Sequence, residues 1–294
     1  MNASAAIRKV SILGSGTMGQ GIAQVTASAG LTTCVFDAVP GRAEQAASAI
    51  KAQLEKLVAK GKMDAAQREK TLAALSVAAD VPRACHDADL VIEAAPESMD
   101  LKVKLFGEVV AAAPAHALLG SNTSSLSLTE IGARIGAQER TVGLHFFNPP
   151  PLMELLEIVR GIGTSPSTVE RALAFAQSIG KTPIVVRDVP GFATSRLGVI
   201  LGAEAIRMLE SGVASVVDID RAMELGYRHP MGPLKLTDLV GLDVRLAILD
   251  HLHRELGEQF RAPALLRQMV RAGKLGKKSG EGFYVWKDGV AHAK

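Results

Sequence analysis

The feature that most restricts this chain is a glycine turn set between a strand pattern and a helix pattern. Residues 10–13 (Val-Ser-Ile-Leu) read as a short β-prone run, and Gly14-Ser15-Gly16-Thr17-Met18-Gly19 follows at once. Residues 18–29 read as a helix rich in small side chains, Gly30 stops it, and residues 31–36 read as a second strand ending at Asp37. A strand–helix–strand unit of about 30 residues implies parallel strands joined by a crossover. Each glycine then has a task. Gly14 makes the tight turn, Gly16 lets backbone approach a pyrophosphate, and Gly19 lets the helix pack close to the strand. The phosphates would rest on N–H groups at the helix N-terminus, where the dipole favours negative charge. Asp37, 18 positions after Gly19, completes the dinucleotide fingerprint. Cofactor contacts are therefore expected from Gly14, Gly16, Thr17, Met18, Gly19 and Asp37. Asp37 would accept the adenosine ribose hydroxyls and repel a 2′-phosphate, which favours NAD over NADP. Arg42 stands near in sequence and softens that preference.

The rest of the chain extends the pattern. Residues 42–75 are charged and helical, with Leu54, Leu57 and Val58 as an apolar stripe, and Gly61 interrupts them, so a helical hairpin is expected. Residues 90–92, 118–119, 141–146 and 184–186 read as further strands. Composition changes near Asp188-Val189-Pro190-Gly191. Beyond it strand signals nearly vanish, and residues 197–209, 218–225 and 244–256 read as helices, with Asp218 as an N-cap and Gly226 as a C-cap. The expected fold is α/β: a Rossmann-type, mostly parallel sheet domain over residues 1–187, then a second, all-α domain over 188–294.

Composition excludes several classes. Apolar residues make up 48% and charged residues 21%, which is a folded rather than a disordered chain. Thirty-three basic against thirty acidic residues leave a net charge of +3, so no nucleic-acid partner is expected. Cys34 and Cys85 are too few for a disulfide framework and lack zinc spacing. No metal is expected. No apolar run is long enough to span a membrane, and the first ten residues lack the apolar core of a secretory signal. A cytoplasmic location is expected.

Four further segments carry chemistry. In Gly143-Leu144-His145-Phe146-Phe147-Asn148-Pro149-Pro150 a histidine closes a strand before a proline-rich loop, and ligands of open α/β sheets bind beyond the carboxyl ends of strands. Glu157 lies twelve residues on. If it reaches His145, it would fix the tautomer of a general base and favour the imidazolium. In Gly120-Ser121-Asn122-Thr123-Ser124-Ser125-Leu126, short hydroxyl and amide side chains suit a small polar group, while Ser125 or Ser127 could instead cap a helix. Glu93 and Glu97, with Lys102 and Lys104 behind them, either face a cofactor or cap the following helix. Lys277-Lys278-Ser279-Gly280-Glu281-Gly282-Phe283-Tyr284 suggests a docked tail that reaches phosphates or solvates a turn.

Taken in order, G-S-G-T-M-G, E-A-A-P-E, S-N-T-S-S-L, H-F-F-N-P, P-G-F, H-P-M-G-P-L with D-L-V-G-L-D, and K-K-S-G-E-G-F-Y make the whole chain resemble the short-chain L-3-hydroxyacyl-CoA dehydrogenases, particularly the bacterial 3-hydroxybutyryl-CoA dehydrogenases. The resemblance implies an NAD-binding Rossmann domain, an acyl-CoA substrate and a homodimer built on the helical domain. It implies that His145 is the catalytic base and Glu157 its orienting partner. Ser124 and Asn148 match positions that contact substrate and the nicotinamide end of the cofactor. Glu97, Lys102 and Lys278 match cofactor contacts, and Lys60 and Lys56 fall on the hairpin that meets the CoA part in relatives. One position departs: many members carry Asn in a P-G-F-x-x-N-R pattern where this chain has Ser195. Ser195 offers no amide N–H but can still donate one hydrogen bond to substrate. Dehydrogenases of a free 3-hydroxy acid, of gulonate or carnitine type, stand as the alternative on the same fold. A relative that binds NAD(H) without turnover is a further alternative, against which His145 and Glu157 speak.

Overall fold

A computed structural model describes residues 6–294; residues 1–5, which open the segment read above for a secretory signal, lie outside the described residues. The chain divides into two compact units, one running to Val189 and the other Pro190–Lys294, against the boundary after residue 187 expected from composition.

The first unit is an eight-stranded sheet in the order β3-β2-β1-β4-β5-β6-β7-β8. Its strands are β1 (Lys9–Leu13), β2 (Thr32–Phe36), β3 (Leu75–Val77), β4 (Leu90–Glu93), β5 (Leu118–Ser121), β6 (Thr141–Phe146), β7 (Leu155–Arg160) and β8 (Thr182–Arg187). Its helices are α1 (Thr17–Ser28), α2 (Arg42–Ala59), α3 (Ala65–Ala73), α4 (Val81–Cys85), α5 (Met99–Ala112), α6 (Leu128–Arg134) and α7 (Pro166–Ser178). All neighbouring strands pair in parallel except β6 and β7. The order reverses at β1, between β2 and β4, where α/β sheets open a ligand crevice. Val10, Ile12, Ile22, Val35, Leu90, Ile92, Leu118, Leu144, Leu156 and Ile158 are buried in one core under the helices.

Two features differ from the expectation for this unit, and two helix caps settle alternatives that the sequence left open. The helical reading of 42–75 overruns: α2 and α3 form the hairpin, but Leu75 opens β3, and α4 follows. A three-residue edge strand is too short to show a period. The segment with Glu157 is a full strand, β7, not anticipated because one charged residue interrupts its apolar run. Neither Glu93 nor Glu97 caps α5, whose N-cap is Ser98. Ser127, not Ser125, caps α6, accepting from Glu130 N–H at 3.2 Å.

The second unit is helical: α8 (Thr194–Glu210), α9 (Val216–Gly226), α10 (Pro233–Val240), α11 (Leu242–Leu256) and α12 (Ala264–Arg271). A terminal hairpin of β9 (Val285–Lys287) and β10 (Val290–His292) corrects the all-α expectation. Ser215, not Asp218, is the N-cap of α9, and Tyr227 rather than Gly226 is its C-cap. Asp218 sits in the first turn and accepts the Ser215 hydroxyl at 2.7 Å, where an acid suits the dipole. This unit has its own core, including Val199, Ile206, Leu234, Leu242, Leu249, Leu266 and Phe283.

The Gly276–Tyr284 turn is held from beneath by Asp238. Its carboxylate accepts the N–H groups of Phe283 and Tyr284 at 2.8 and 2.9 Å and the indole N–H of Trp286 at 2.9 Å. Burial pushes the Asp238 carboxyl upward while these donors pull the other way, and the net effect is upward. Asp238→Ala strands three donors, each costing about 1–3 kcal/mol where it stays dry. Roughly 3 kcal/mol of stability should be lost. Urea unfolding followed by fluorescence of Trp286, the single tryptophan, measures it; an unchanged midpoint contradicts the assignment.

Candidate active site

The glycine turn leaves the C-terminal end of β1 beside the ends of β4, β5 and β6. Leu13 is level with Glu93, Glu93 with Ser121, and Ser121 with Gly143, two residues before His145. Gly14 has φ +99°, which only glycine adopts without strain. A Cβ on Gly19 would come 1.7 Å from the Gly14 carbonyl oxygen, so the helix packs where no side chain fits. A Cβ on Gly16, by contrast, would meet no atom within 4 Å. Gly16 is the N-cap of α1, with no side-chain cap and no acid in the first turn. The leading N–H groups of a helix have no intrahelical acceptor. Open space over uncapped donors fits a diphosphate.

Asp37 stands at the edge of that turn. It accepts Ser15 N–H and Ser15 Oγ at 2.8 and 2.7 Å on one oxygen and Val39 N–H at 2.9 Å on the other. A carboxylate has about four lone-pair sites, so three donors leave room for a ribose hydroxyl. Partial burial pushes its carboxyl up, but the Val39 and Ser15 hydrogen bonds and Arg42 outweigh that and hold it below the usual range. The residues present fit the dinucleotide that the sequence motif implies.

His145 and Glu157 are cross-strand partners on β6 and β7. Nδ1 lies 2.6 Å from Glu157 Oε2. His145 is 7% exposed and Glu157 fully buried at 0%. This contact selects the tautomer in which Nδ1 carries the proton and Nε2 holds the basic lone pair. The Phe147 ring lies 4.6 Å from the imidazole, tilted by 49°. The loop after β6 packs on the cofactor helix itself: a Cβ on Gly21 of α1 would stand 2.7 Å from Pro150. Lys181 fastens the same loop, donating to the carbonyls of Pro150 and Met153 at 2.6 and 2.7 Å.

The acids and hydroxyls after β4 and β5 form one network. Glu93, fully buried, accepts Ala95 N–H, Lys102 Nζ and Ser121 Oγ, each at 2.6 Å. Glu97 accepts Thr123 Oγ1 at 2.5 Å, Ser125 Oγ at 3.0 Å and Ser124 N–H at 3.2 Å. Lys102 Nζ lies 3.3 Å from Glu97 Oε2. Desolvation pushes the Glu97 carboxyl up, but Thr123, Lys102 and Ser125 outweigh it and leave it low. Lys102 is 1% exposed, so its ammonium is spent on Glu93, Glu97 and the Ala95 carbonyl, positioning the acids. Asn122 Oδ1 accepts Phe146 N–H at 2.9 Å, tying the serine loop to the residue after His145.

Of the residues singled out from sequence, the first unit thus brings the glycine turn, Asp37, Glu97, Lys102, His145 and Glu157 to one sheet edge or its network. Ser124 and Asn148 are exposed on loops that leave β5 and β6. Lys56 and Lys60 are exposed at the C-terminal end of α2. Ser195 and Lys278 belong to the second unit: Ser195 lies in the first turn of α8, and Lys278 Nζ donates to Asp243 at 2.7 Å. In sequence Asn122 reads only as one of a cluster of polar side chains suited to a small polar group, whereas here it ties its loop to the end of β6; Lys181 went unread, and nothing in sequence separates it from ordinary strand-edge residues.

Comparison with known proteins decides the family. The family profile described as "3-hydroxyacyl-CoA dehydrogenase, NAD binding domain" matches residues 9–189, and "3-hydroxyacyl-CoA dehydrogenase, C-terminal domain" matches residues 191–286. The chain belongs to the 3-hydroxyacyl-CoA dehydrogenase family. Its first unit is the family's NAD-binding domain, and its cofactor is NAD. It is 42% identical over 283 residues to a probable 3-hydroxybutyryl-CoA dehydrogenase of Bacillus subtilis, covering 96% of this chain and 98% of that one. It is 40% identical to the 3-hydroxybutyryl-CoA dehydrogenase of Clostridioides difficile, covering 94% and 98%. The solved (S)-3-hydroxybutyryl-CoA dehydrogenase of Ralstonia eutropha superposes with a TM-score of 0.92 at 38% identity, covering 96% of this chain and all of that one. Among the described residues of this family member, no helix is long and apolar enough to cross a membrane.

Proposed function

We propose that the protein interconverts (S)-3-hydroxyacyl-CoA and 3-oxoacyl-CoA with NAD, on short acyl chains. The observation that carries this reading is the 2.6 Å contact of His145 Nδ1 with buried Glu157, on the sheet edge that also carries the glycine turn. His145 Nε2 takes the proton of the C3 hydroxyl, and Glu157 holds the ring and balances the imidazolium. Bound NAD supplies the acceptor for the hydride that leaves C3. Ser124 and Asn148 orient the C3 oxygen, with Ser195 as a further hydroxyl donor. Glu97, with Lys102 behind it, faces the cofactor, as does Lys278 of the second unit. Lys56 and Lys60 present positive charge to the CoA phosphates. The expected homodimer finds support in exposed apolar side chains of the second unit, among them Leu225 and Tyr227 at 79% and 76% exposure. Light scattering should give twice the chain mass. The location fitting this reading is the cytoplasm.

The test is NADH oxidation with acetoacetyl-CoA. Rapid turnover is expected; activity on gulonate or carnitine with none on the thioester chooses the free-acid alternative. NADPH should be at least about tenfold less efficient, because Asp37 repels a 2′-phosphate. Asp37→Ala should narrow that ratio, and a wild-type preference for NADPH contradicts the role given to Asp37.

A further inference from the structure

The loop between β6 and β7 carries Asn148, three residues past His145, and then three prolines in a row, Pro149-Pro150-Pro151. Proline has no N–H, and its ring holds φ near −65°. The backbone of this stretch donates nothing, so only its carbonyls can be held. Residues 148–154 are exposed apart from Pro150. Within the loop, the N–H groups of Leu152 and Met153 donate to the Pro149 carbonyl at 3.0 and 3.1 Å. Those bonds close a turn without fastening it to the rest of the unit.

Two other elements fasten it. Pro150 packs on Gly21 of α1, and Lys181 reaches in from the start of β8. The chain leaves α7 with Lys181 N–H donating back to the Ala176 carbonyl at 2.9 Å, and the next residue, Thr182, donates to the Glu154 carbonyl at 2.8 Å. Lys181 is 9% exposed, and both hydrogen bonds of its ammonium go to loop carbonyls, those of Pro150 and Met153. Burial pulls the ammonium below the usual lysine range, and the charge of Glu154 opposes this only in part. Burying a cation is costly unless its donors are met. An apolar anchor avoids that cost, but it does not fix where two carbonyls point, as short charge-assisted bonds do.

We propose that Lys181 is a positioning residue of the dehydrogenase: through Pro150 it sets Asn148 in register with His145 for the C3 oxygen of the substrate. This rests on the reading above, in which Asn148 orients that oxygen. Consecutive prolines restrict the backbone at each step, so a shift of the Pro150 carbonyl is passed to Asn148 rather than absorbed between them. A misplacement of about 1 Å can cost about 10²-fold in rate.

The experiment follows acetoacetyl-CoA reduction by NADH in wild type, Lys181→Met, Lys181→Arg, Asn148→Ala and the double variant Lys181→Met/Asn148→Ala. Rates are expressed per NADH-binding site, so that unfolded protein drops out. Lys181→Met should lower kcat by at least about tenfold, though by no more than Asn148→Ala does. KM and NADH affinity should stay within about threefold of wild type, because the lost interaction belongs to the transition state. Lys181→Arg keeps a charged donor and should recover part of the loss. The double variant should be no slower than Asn148→Ala, since one residue acts through the other. If Lys181→Met does not fold, Lys181→Arg is crossed with Asn148→Ala in its place, and the same additivity decides. Unchanged kcat per site in Lys181→Met, whatever its stability, makes Lys181 a structural anchor alone and overturns the proposal. Losses that multiply in the double variant, or full turnover in Asn148→Ala, overturn it as well while wild-type activity keeps the dehydrogenase reading. A wild type inactive on acetoacetyl-CoA overturns both.

Discussion

His145→Ala is expected to lower kcat for 3-oxoacyl-CoA reduction by about 10²–10⁴-fold, which corresponds to roughly 3–5 kcal/mol of transition-state stabilisation. NADH affinity should change little, because the donors expected to hold the diphosphate belong to the α1 N-terminus. Steady-state kinetics and quenching titrations of NADH fluorescence separate the two effects. Full activity in the variant refutes the role of His145, and lost NADH binding would make the defect structural. Glu157→Gln keeps the shape of the partner and removes its charge. It should lower kcat by a smaller factor, and the double variant should be no worse than His145→Ala, as members of one catalytic unit are not additive.

The second large effect separates two glycines three residues apart. Gly19→Ala places a methyl group 1.7 Å from a backbone carbonyl, that of Gly14. Backbone cannot swing aside as a flexible side chain can, so the helix must shift. The expected loss is about 3 kcal/mol of stability, or failure to fold. Gly16→Ala meets nothing within 4 Å and keeps an allowed backbone, φ −63°. Its unfolding midpoint should stay within about 1 kcal/mol of wild type, while NADH affinity falls by at least about tenfold, because the methyl takes the space over the donors. Thermal unfolding paired with NADH titration reads both. Unaltered affinity in Gly16→Ala sinks the diphosphate assignment for this turn.

Much of the fold was legible in sequence where local chemistry decides. The 3.6-residue period of 42–59, the glycine turn and the β-branched run 32–36 each stand out against their flanks. What escaped was set by distant partners. Strand β7 looks broken at Glu157 until its cross-strand neighbour is known to be His145. Ser215 caps α9 in place of Asp218 because cap geometry depends on backbone angles that spacing does not reveal. The terminal hairpin is too short to show alternation. At the candidate site, residue types singled out His145, Glu157 and Asp37, and the structure brings the first two into contact. Lys181 carries no sequence mark, and the tie made by Asn122 was not foreseen, since their importance lies in which carbonyl or amide they meet.

The antiparallel pairing of β6 with β7 places His145 and Glu157 on adjacent rungs of one ladder, twelve residues apart in the chain. The pair proposed to handle the proton is thus encoded by a single contiguous segment of the first unit, and the second unit has a separate core. A substitution confined to the helical unit therefore leaves both rungs of that ladder, and the hydrogen bond across them, as they are.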